Sequence, residues 1–198
     1  GSVVSEGGLF AVAALLMSTL GTEIVAAHQV ALSYASLMFM IPLSLHSATT
    51  IHVGHQVGRG DITAGRNAGW SGIAMCGVIM ALSSLVILAA RDGIAAAYTS
   101  DLDVRELAAW LLLFVALFQI PDGLQVGAAG ALRGFKDANV PMALNFTAYW
   151  VVGFPAAWWF GIRQGYGPSG IWSGLIVGLV VCAVFLVWRY QRVSQPRT

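Results

Sequence analysis

The chain has 198 residues, of which 58% are hydrophobic and 10% charged, and its mean hydropathy is +0.76. This composition excludes an ordinary water-soluble domain and indicates an integral membrane protein. The net charge of +1 and the lack of a basic tract give no sign of nucleic-acid binding. Cys76 and Cys182 both lie in apolar segments, where they behave as small hydrophobic residues.

Six apolar segments are candidates to cross a membrane as helices, which takes about 20 residues each. In chain order the sequence predicts spans at residues 3–20, 25–53, 68–90, 107–131, 141–162 and 171–190, with short polar connections at 21–23, 58–67, 91–103, 133–140 and 163–169. Such short connections make consecutive helices antiparallel neighbours. The prediction is therefore an all-α, polytopic six-helix transmembrane bundle. Because the chain begins Gly1-Ser2, we expect the first span to be truncated and the chain to be a fragment of a longer protein.

Stripes of small residues predict where two of these helices pack closely. Gly170, Gly174 and Gly178 form one stripe in the sixth span, and residues 123, 127 and 131 form another in the fourth. Small residues at this spacing let helix backbones approach each other inside a membrane.

The Lys and Arg residues divide between alternate connections and so predict an orientation. One side carries Arg59, Arg66, Arg133, Lys136, Arg189, Arg192 and Arg197, whereas the other carries Arg91, Arg105 and Arg163. Cytoplasmic loops retain the excess of positive charge. The richer side, with the C-terminus, is therefore predicted to be cytoplasmic.

Two acidic residues are placed where charge is costly. Asp122 lies inside the otherwise uncharged run 111–131, and Glu6 directly precedes the apolar run 9–20. A carboxylate at such depth costs roughly 2.5–3.5 kcal/mol on insertion scales, so it normally faces a protein interior or a water-filled cavity. Counted from the outer ends of their helices, both lie at a depth of roughly 22–24 Å. Two carboxylates at one level can bind a monovalent cation or share a proton, because close like charges disfavour the doubly ionised pair.

Polar and aromatic residues near these acids are candidates to line a cavity. They are Phe118, Gln119 and Gln125 around Asp122, and Asn145, Tyr149 and Trp150 in the middle of the fifth span. Amide oxygens could complete the coordination of a cation. Ordinary hydrogen bonding between helices is the alternative for the glutamines, and a purely structural hydrogen bond is the alternative for Asp122.

The sequence contains no hydrolytic motif and no phosphate-binding loop, so we expect neither an enzyme nor an ATP-driven pump. His52 and His55 have a spacing compatible with a metal pair, but no Cys or carboxylate nearby completes a set, so no metal or cofactor is expected. His46 lies deeper, where it could line a hydrated path or pack with one hydrogen bond. Because the sequence shows no ATP-binding motif, the energy for any transport by this protein would come from an ion gradient.

Several segments resemble the multidrug and toxic compound extrusion (MATE) family of transporters. They are residues 20–21 and 26–32 with Pro42 and 54–58, residues 122–137, and Tyr149-Trp150 with Gly153 and Pro155. The resemblance covers essentially all of the chain and looks closest to the NorM-like branch. It implies that residues 1–198 are the C-terminal lobe, helices seven to twelve, of a twelve-helix protein in the bacterial inner membrane.

The resemblance also implies a function and two site residues. Such a protein exports amphipathic, often cationic, drugs or toxic metabolites in exchange for H⁺ or Na⁺, with Glu6 and Asp122 matching the family's coupling acids. Its expected partners are these small molecules, membrane lipid and the other lobe. Phe118 stands where the family can supply a tyrosine, which favours H⁺ over Na⁺, and His46 replaces a residue that is usually small.

Two alternatives stay open at this stage. A lipid-linked oligosaccharide flippase of related architecture should carry cationic residues in its cavity for the pyrophosphate, and the middle of the predicted spans carries none. An intramembrane enzyme using Glu6 and Asp122 would need a group that polarises its substrate at the same depth, and none is evident.

Overall fold

The protein folds into a bundle of helices in a computed structural model, which describes the backbone of residues 2–195 and the side chains of residues 7–195. Its elements are α1 (Ser2–Ser18), α2 (Thr22–Gly58), α3 (Ile62–Tyr98), α4 (Leu102–Gly134), α5 (Asn139–Thr147), α6 (Phe154–Trp158) and α7 (Gly167–Val193). Two π-helical segments, Ala148–Gly153 and Trp159–Arg163, make residues 139–163 one helical stretch together with α5 and α6. The described residues thus form six helical stretches without a strand, which confirms the all-α prediction.

Four of these helices, α2, α3, α4 and α7, are long and apolar enough to cross a membrane. The described apolar part of α1 is shorter, at Gly7–Ser18, and the stretch 139–163 is divided by its π-helical segments. With 37 residues each, α2 and α3 extend about 55 Å, well beyond a hydrocarbon core of about 30 Å.

The predicted polar connections at 58–67 and 91–103 are mostly helical, which corrects those boundaries. The connections that remain are only residues 59–61 and 99–101. Each helix continues past its apolar run, because polar residues form the backbone hydrogen bonds of a helix as well as apolar ones do. Helices α3 and α4 each begin where an aspartate side chain caps the first turn. Asp61 accepts a hydrogen bond from the Ala64 amide, and Asp101 accepts from the amides of Asp103 and Val104.

Helix α4 is the centre of the bundle and packs against α2, α3 and α7. Glycines allow this close contact. A Cβ atom on Gly123 would lie 2.7 Å from the Cys76 carbonyl oxygen of α3, and one on Gly127 would lie 2.8 Å from Ile73 Cα of the same helix. The small-residue stripe of the fourth span is therefore a packing surface, as the sequence predicts.

The stripe on α7 packs against the stretch 139–163. A Cβ atom on Gly170 would lie 2.5 Å from the Phe160 carbonyl oxygen, one on Gly178 would lie 2.7 Å from Gly153 Cα, and one on Gly174 would overlap the backbone of Ala157. The partner backbone is irregular here. Phe154 N–H bonds to the Tyr149 carbonyl oxygen, five residues back, just before Pro155, which has no N–H to donate.

Candidate functional site

A cavity of about 310 Å³ opens between α1, α2 and α4. Its wall is mainly apolar and includes Phe10 from α1, Phe39 from α2 and Phe118 from α4. Ser36 and Asp122 are the polar side chains on the described wall. The cavity therefore presents aromatic surface and one carboxylate together, which suits a ligand that is apolar and positively charged.

Asp122 holds the position that the sequence indicates. Its side chain is 2% exposed, it lies one helical turn after Phe118 on the central helix, and it borders the cavity. Burial of an ionisable group inside a membrane bundle marks a functional position by default.

Glu6, the second acid, has a side chain that lies outside the described residues. Its backbone belongs to α1, and the next residue, Gly7, lines the cavity with Phe10. Helix α1 thus runs along the wall that contains Asp122. The predicted pairing of Glu6 with Asp122 stays a prediction.

The polar residues predicted near Asp122 separate into two groups. Gln125 accepts a hydrogen bond from the Tyr149 hydroxyl at 2.7 Å, and Asn145 accepts one from the Cys182 thiol at 2.8 Å. These bonds connect the stretch 139–163 to α4 and to α7, so interhelical bonding is what the structure shows for Gln125. Gln119 is 1% exposed, and its amide atoms have no hydrogen-bond partner among the described residues.

Aromatic rings extend from the cavity in two directions. Phe118 meets Phe10 edge to face at 5.7 Å between centroids, and Trp172 of α7 at 6.0 Å. Trp150 is only partly buried, lies between Phe146 and Phe154, and faces α1, where a Cβ atom on Gly8 would be 3.2 Å from its ring. Phe118 thus lines the cavity directly, whereas Trp150 packs against the helix that forms one wall.

His46 connects α2 to α4 one helical turn beyond the cavity. Its Nδ1 lies 3.0 Å from the Val126 carbonyl oxygen, which can only accept, so Nδ1 carries the proton. Nε2 then accepts from Arg133 Nη1 at 3.5 Å. Thr50 Oγ1 donates to the Gly130 carbonyl oxygen at 2.9 Å on the next turn. Of the two roles expected for His46, packing with hydrogen bonds is the one observed.

Several residues of α2 line the cavity although the sequence did not predict them there. Leu32, Ser36, Phe39 and Leu43 share one face of α2, together with Ala35 and Met40. These residues recur at helical spacing in the sequence, but that spacing does not show whether an apolar face of a membrane helix contacts lipid or lines a cavity. Among the described residues, no group of three or more His, Cys, Asp or Glu could hold a metal ion.

A helical membrane bundle with a buried acid at the wall of a cavity is an arrangement suited to a membrane transport protein. The family model described as MatE matches residues 2–159, and the chain therefore belongs to the MATE family. This confirms the resemblance noted in the sequence.

Relatives of known name support the assignment. The chain is 48% identical over 194 residues to "Probable multidrug resistance protein NorM" of Xylella fastidiosa (strain 9a5c), which covers 98% of the chain and 41% of that relative. It is 42% identical over 195 residues to "Multidrug resistance protein PmpM" of Pseudomonas aeruginosa, which covers 96% of the chain and 42% of that relative. The chain thus spans less than half the length of these proteins.

Solved structures show the same fold. The outward-facing conformation of a multidrug resistance MATE family transporter of the MOP superfamily superposes with a TM-score of 0.89 at 19% identity, covering 98% of this chain and 44% of that one. The eukaryotic MATE transporter AtDTX14 superposes with a TM-score of 0.80 at 24% identity, covering 86% of this chain and 39% of that one.

Proposed function

We propose that residues 1–198 are one lobe, helices seven to twelve, of a multidrug efflux antiporter in the bacterial inner membrane. The observation that carries the proposal is the burial of Asp122 at the wall of an aromatic cavity. The similarity to proteins named as multidrug resistance proteins supports it, as does the fraction of their length that the chain covers. A second lobe would complete the transporter and enclose the cavity from its open side.

The cavity has a chemistry that suits amphipathic, often cationic, compounds. Phe10, Phe39 and Phe118 offer apolar surface, and their ring faces attract a cation. Its volume of about 310 Å³ lies at the lower end of the range for small-molecule sites, about 300–1,000 Å³. Within the proposal, a drug and the coupling ion compete for the carboxylate of Asp122, so that entry of the ion promotes release of the drug.

The proposed coupling ion is a transported substrate, and no cofactor is required. Glu6 and Asp122 would bind it together. Phe118 offers no oxygen one turn from Asp122, so Na⁺ would need ligands from amides, backbone carbonyls or water, whereas a proton needs a single carboxylate. We therefore propose H⁺ as the ion that suffices.

Replacing Asp122 by Asn in the complete protein tests the proposal. The variant keeps the shape and hydrogen-bonding capacity of the side chain but loses its charge, so ion-driven drug efflux should fall to background while the protein still inserts. Asp92→Asn, at an exposed position on α3, is the matched control and should retain efflux. Undiminished efflux by Asp122→Asn at equal expression would remove Asp122 from the mechanism.

The flippase alternative is less consistent with the site. A pyrophosphate-linked substrate needs cationic partners, and the described wall of the cavity carries no Lys, Arg or His. Export of a labelled cationic dye, measured beside flipping of a labelled pyrophosphate lipid in the same vesicles, distinguishes the two functions.

A further inference from the structure

A second, separate groove of about 390 Å³ lies between α4 and α7, where Pro121 and Leu124 face Val180, Val184 and Trp188. Its surface is apolar along its length and ends at Gln191. Val184 is 61% exposed and Trp188 50% exposed, so no other described helix covers this face of the bundle. From Val180 to Gln191 the groove extends roughly 16 Å, which is about the hydrocarbon thickness of one leaflet.

Positive charge lies at the polar end of this groove. The guanidinium carbon of Arg192 sits 4.9 Å from the centroid of the Trp188 ring, on the helical turn that closes the groove. The neighbouring Arg189 is already paired, because its Nε donates to Asp137 Oδ2 at 2.9 Å. Among the side chains of residues 7–195, no carboxylate forms an ion pair with Arg192. Arg192 is therefore a cation at this end that has no ion-pair partner among the described residues.

We propose that this groove binds an anionic phospholipid. One acyl chain lies between α4 and α7 along Val180, Val184 and Leu124, and the headgroup phosphate accepts hydrogen bonds from Arg192, which Trp188 holds in place. The length of the groove matches one acyl chain, and its charge matches a phosphate. Guanidinium groups bind phosphate through their fork of N–H donors. The site lies outside the cavity at Asp122 and does not depend on the transport function.

Quenching of Trp188 fluorescence by brominated lipid tests the site directly. The complete protein is placed in nanodiscs that contain dibrominated phosphatidylglycerol or the same fraction of dibrominated phosphatidylcholine. Each protein is measured with and without Trp188→Phe, so that the difference reports Trp188 alone. Phosphatidylglycerol should associate more strongly than phosphatidylcholine. Arg192→Gln should reduce that preference about fivefold, as expected for one cation at an anionic surface.

The molecule supplies a matched control for the charge. Arg163 lies over the Trp159 ring at 4.8 Å, the same pairing of residues at the other end of the bundle, and Arg163→Gln should leave the preference at Trp188 unchanged. Val184→Phe fills the groove without altering charge and should also weaken the preference. Equal quenching by both lipids would show general lipid contact only. An equal loss with Arg163→Gln, or no effect of Val184→Phe, would equally overturn the site.

Discussion

Phe118 is the residue at which this chain departs from the tyrosine that the family can carry. Its ring lines the cavity and is held edge to face between Phe10 and Trp172. The side chain therefore contributes apolar surface, and no oxygen, one turn from Asp122. Within the proposed function, the lack of this oxygen favours H⁺ over Na⁺ as the coupling ion.

Adding the hydroxyl should change the ion dependence. We expect wild-type efflux to be driven by a pH gradient in nominally Na⁺-free vesicles, and Phe118→Tyr to increase any stimulation by Na⁺. The measurement is the initial rate of drug efflux against Na⁺ concentration at a fixed pH gradient. Phe39→Tyr places a hydroxyl on the α2 wall of the same cavity and controls for added polarity alone. If wild-type efflux stops without Na⁺ under a full pH gradient, the preference for protons is wrong.

At the residue scale, the sequence predicts the burial of Asp122 but not the hydrogen bond between Gln125 and Tyr149. The depth of Asp122 in an uncharged run predicted burial, because its cost depends only on the surrounding sequence. The sequence also indicates Gln125 as a polar residue of the same helix, but it does not indicate which group Gln125 binds. The Tyr149 hydroxyl that it binds belongs to a helix 24 residues further along the chain, and only packing brings the two groups within 2.7 Å.

At the scale of elements, the contact between α7 and the stretch 139–163 depends on glycine. The α7 glycines meet backbone atoms of the partner stretch rather than the flexible ends of side chains. Backbone cannot move aside cheaply, so a larger residue must push the two helices apart. Close packing and the weak hydrogen bonds it allows are the main forces that hold helices together in lipid.

Gly174→Leu should therefore destabilise the lobe strongly. A Cβ atom there already overlaps the Ala157 backbone, and we expect the loss to exceed about 3 kcal/mol, in the range of severe packing defects. Gly93→Leu is the matched control, because a Cβ atom at Gly93 meets nothing within 4 Å. The check is the fraction of monodisperse protein after heating in detergent. Equal survival of the two variants would mean that the α7 contact is not close-packed in solution.

At the scale of the whole molecule, the predicted orientation follows from the distribution of Lys and Arg. In the structure, the connections predicted at 58–67 and 91–103 are limited to residues 59–61 and 99–101. These two connections lie at opposite ends of α3. Because α3 is a single helix of 37 residues, its two ends must be on opposite sides of the membrane if it spans.

Single cysteines at the two ends of α3 test that orientation. Thr63→Cys, just inside the start of the helix, should react with a membrane-impermeant thiol reagent only after the cytoplasmic side is exposed. Ser100→Cys, in the connection after the helix, should react in intact cells. Both positions are exposed, and the native Cys76 and Cys182 are buried, so they add little background. The reverse pattern of labelling would invert the orientation.

The amino-acid sequence by itself determined the membrane-helical class, the number of helical stretches, the glycine packing stripes and the buried position of Asp122. Each of these follows from local composition or from spacing along one helix. The tertiary structure decided which face of α2 lines the cavity, the hydrogen bonds of His46 to α4, and the groove beside Trp188. These depend on contacts between residues far apart in the chain, because a helix face is chemically the same whether lipid, a cavity or another helix lies against it.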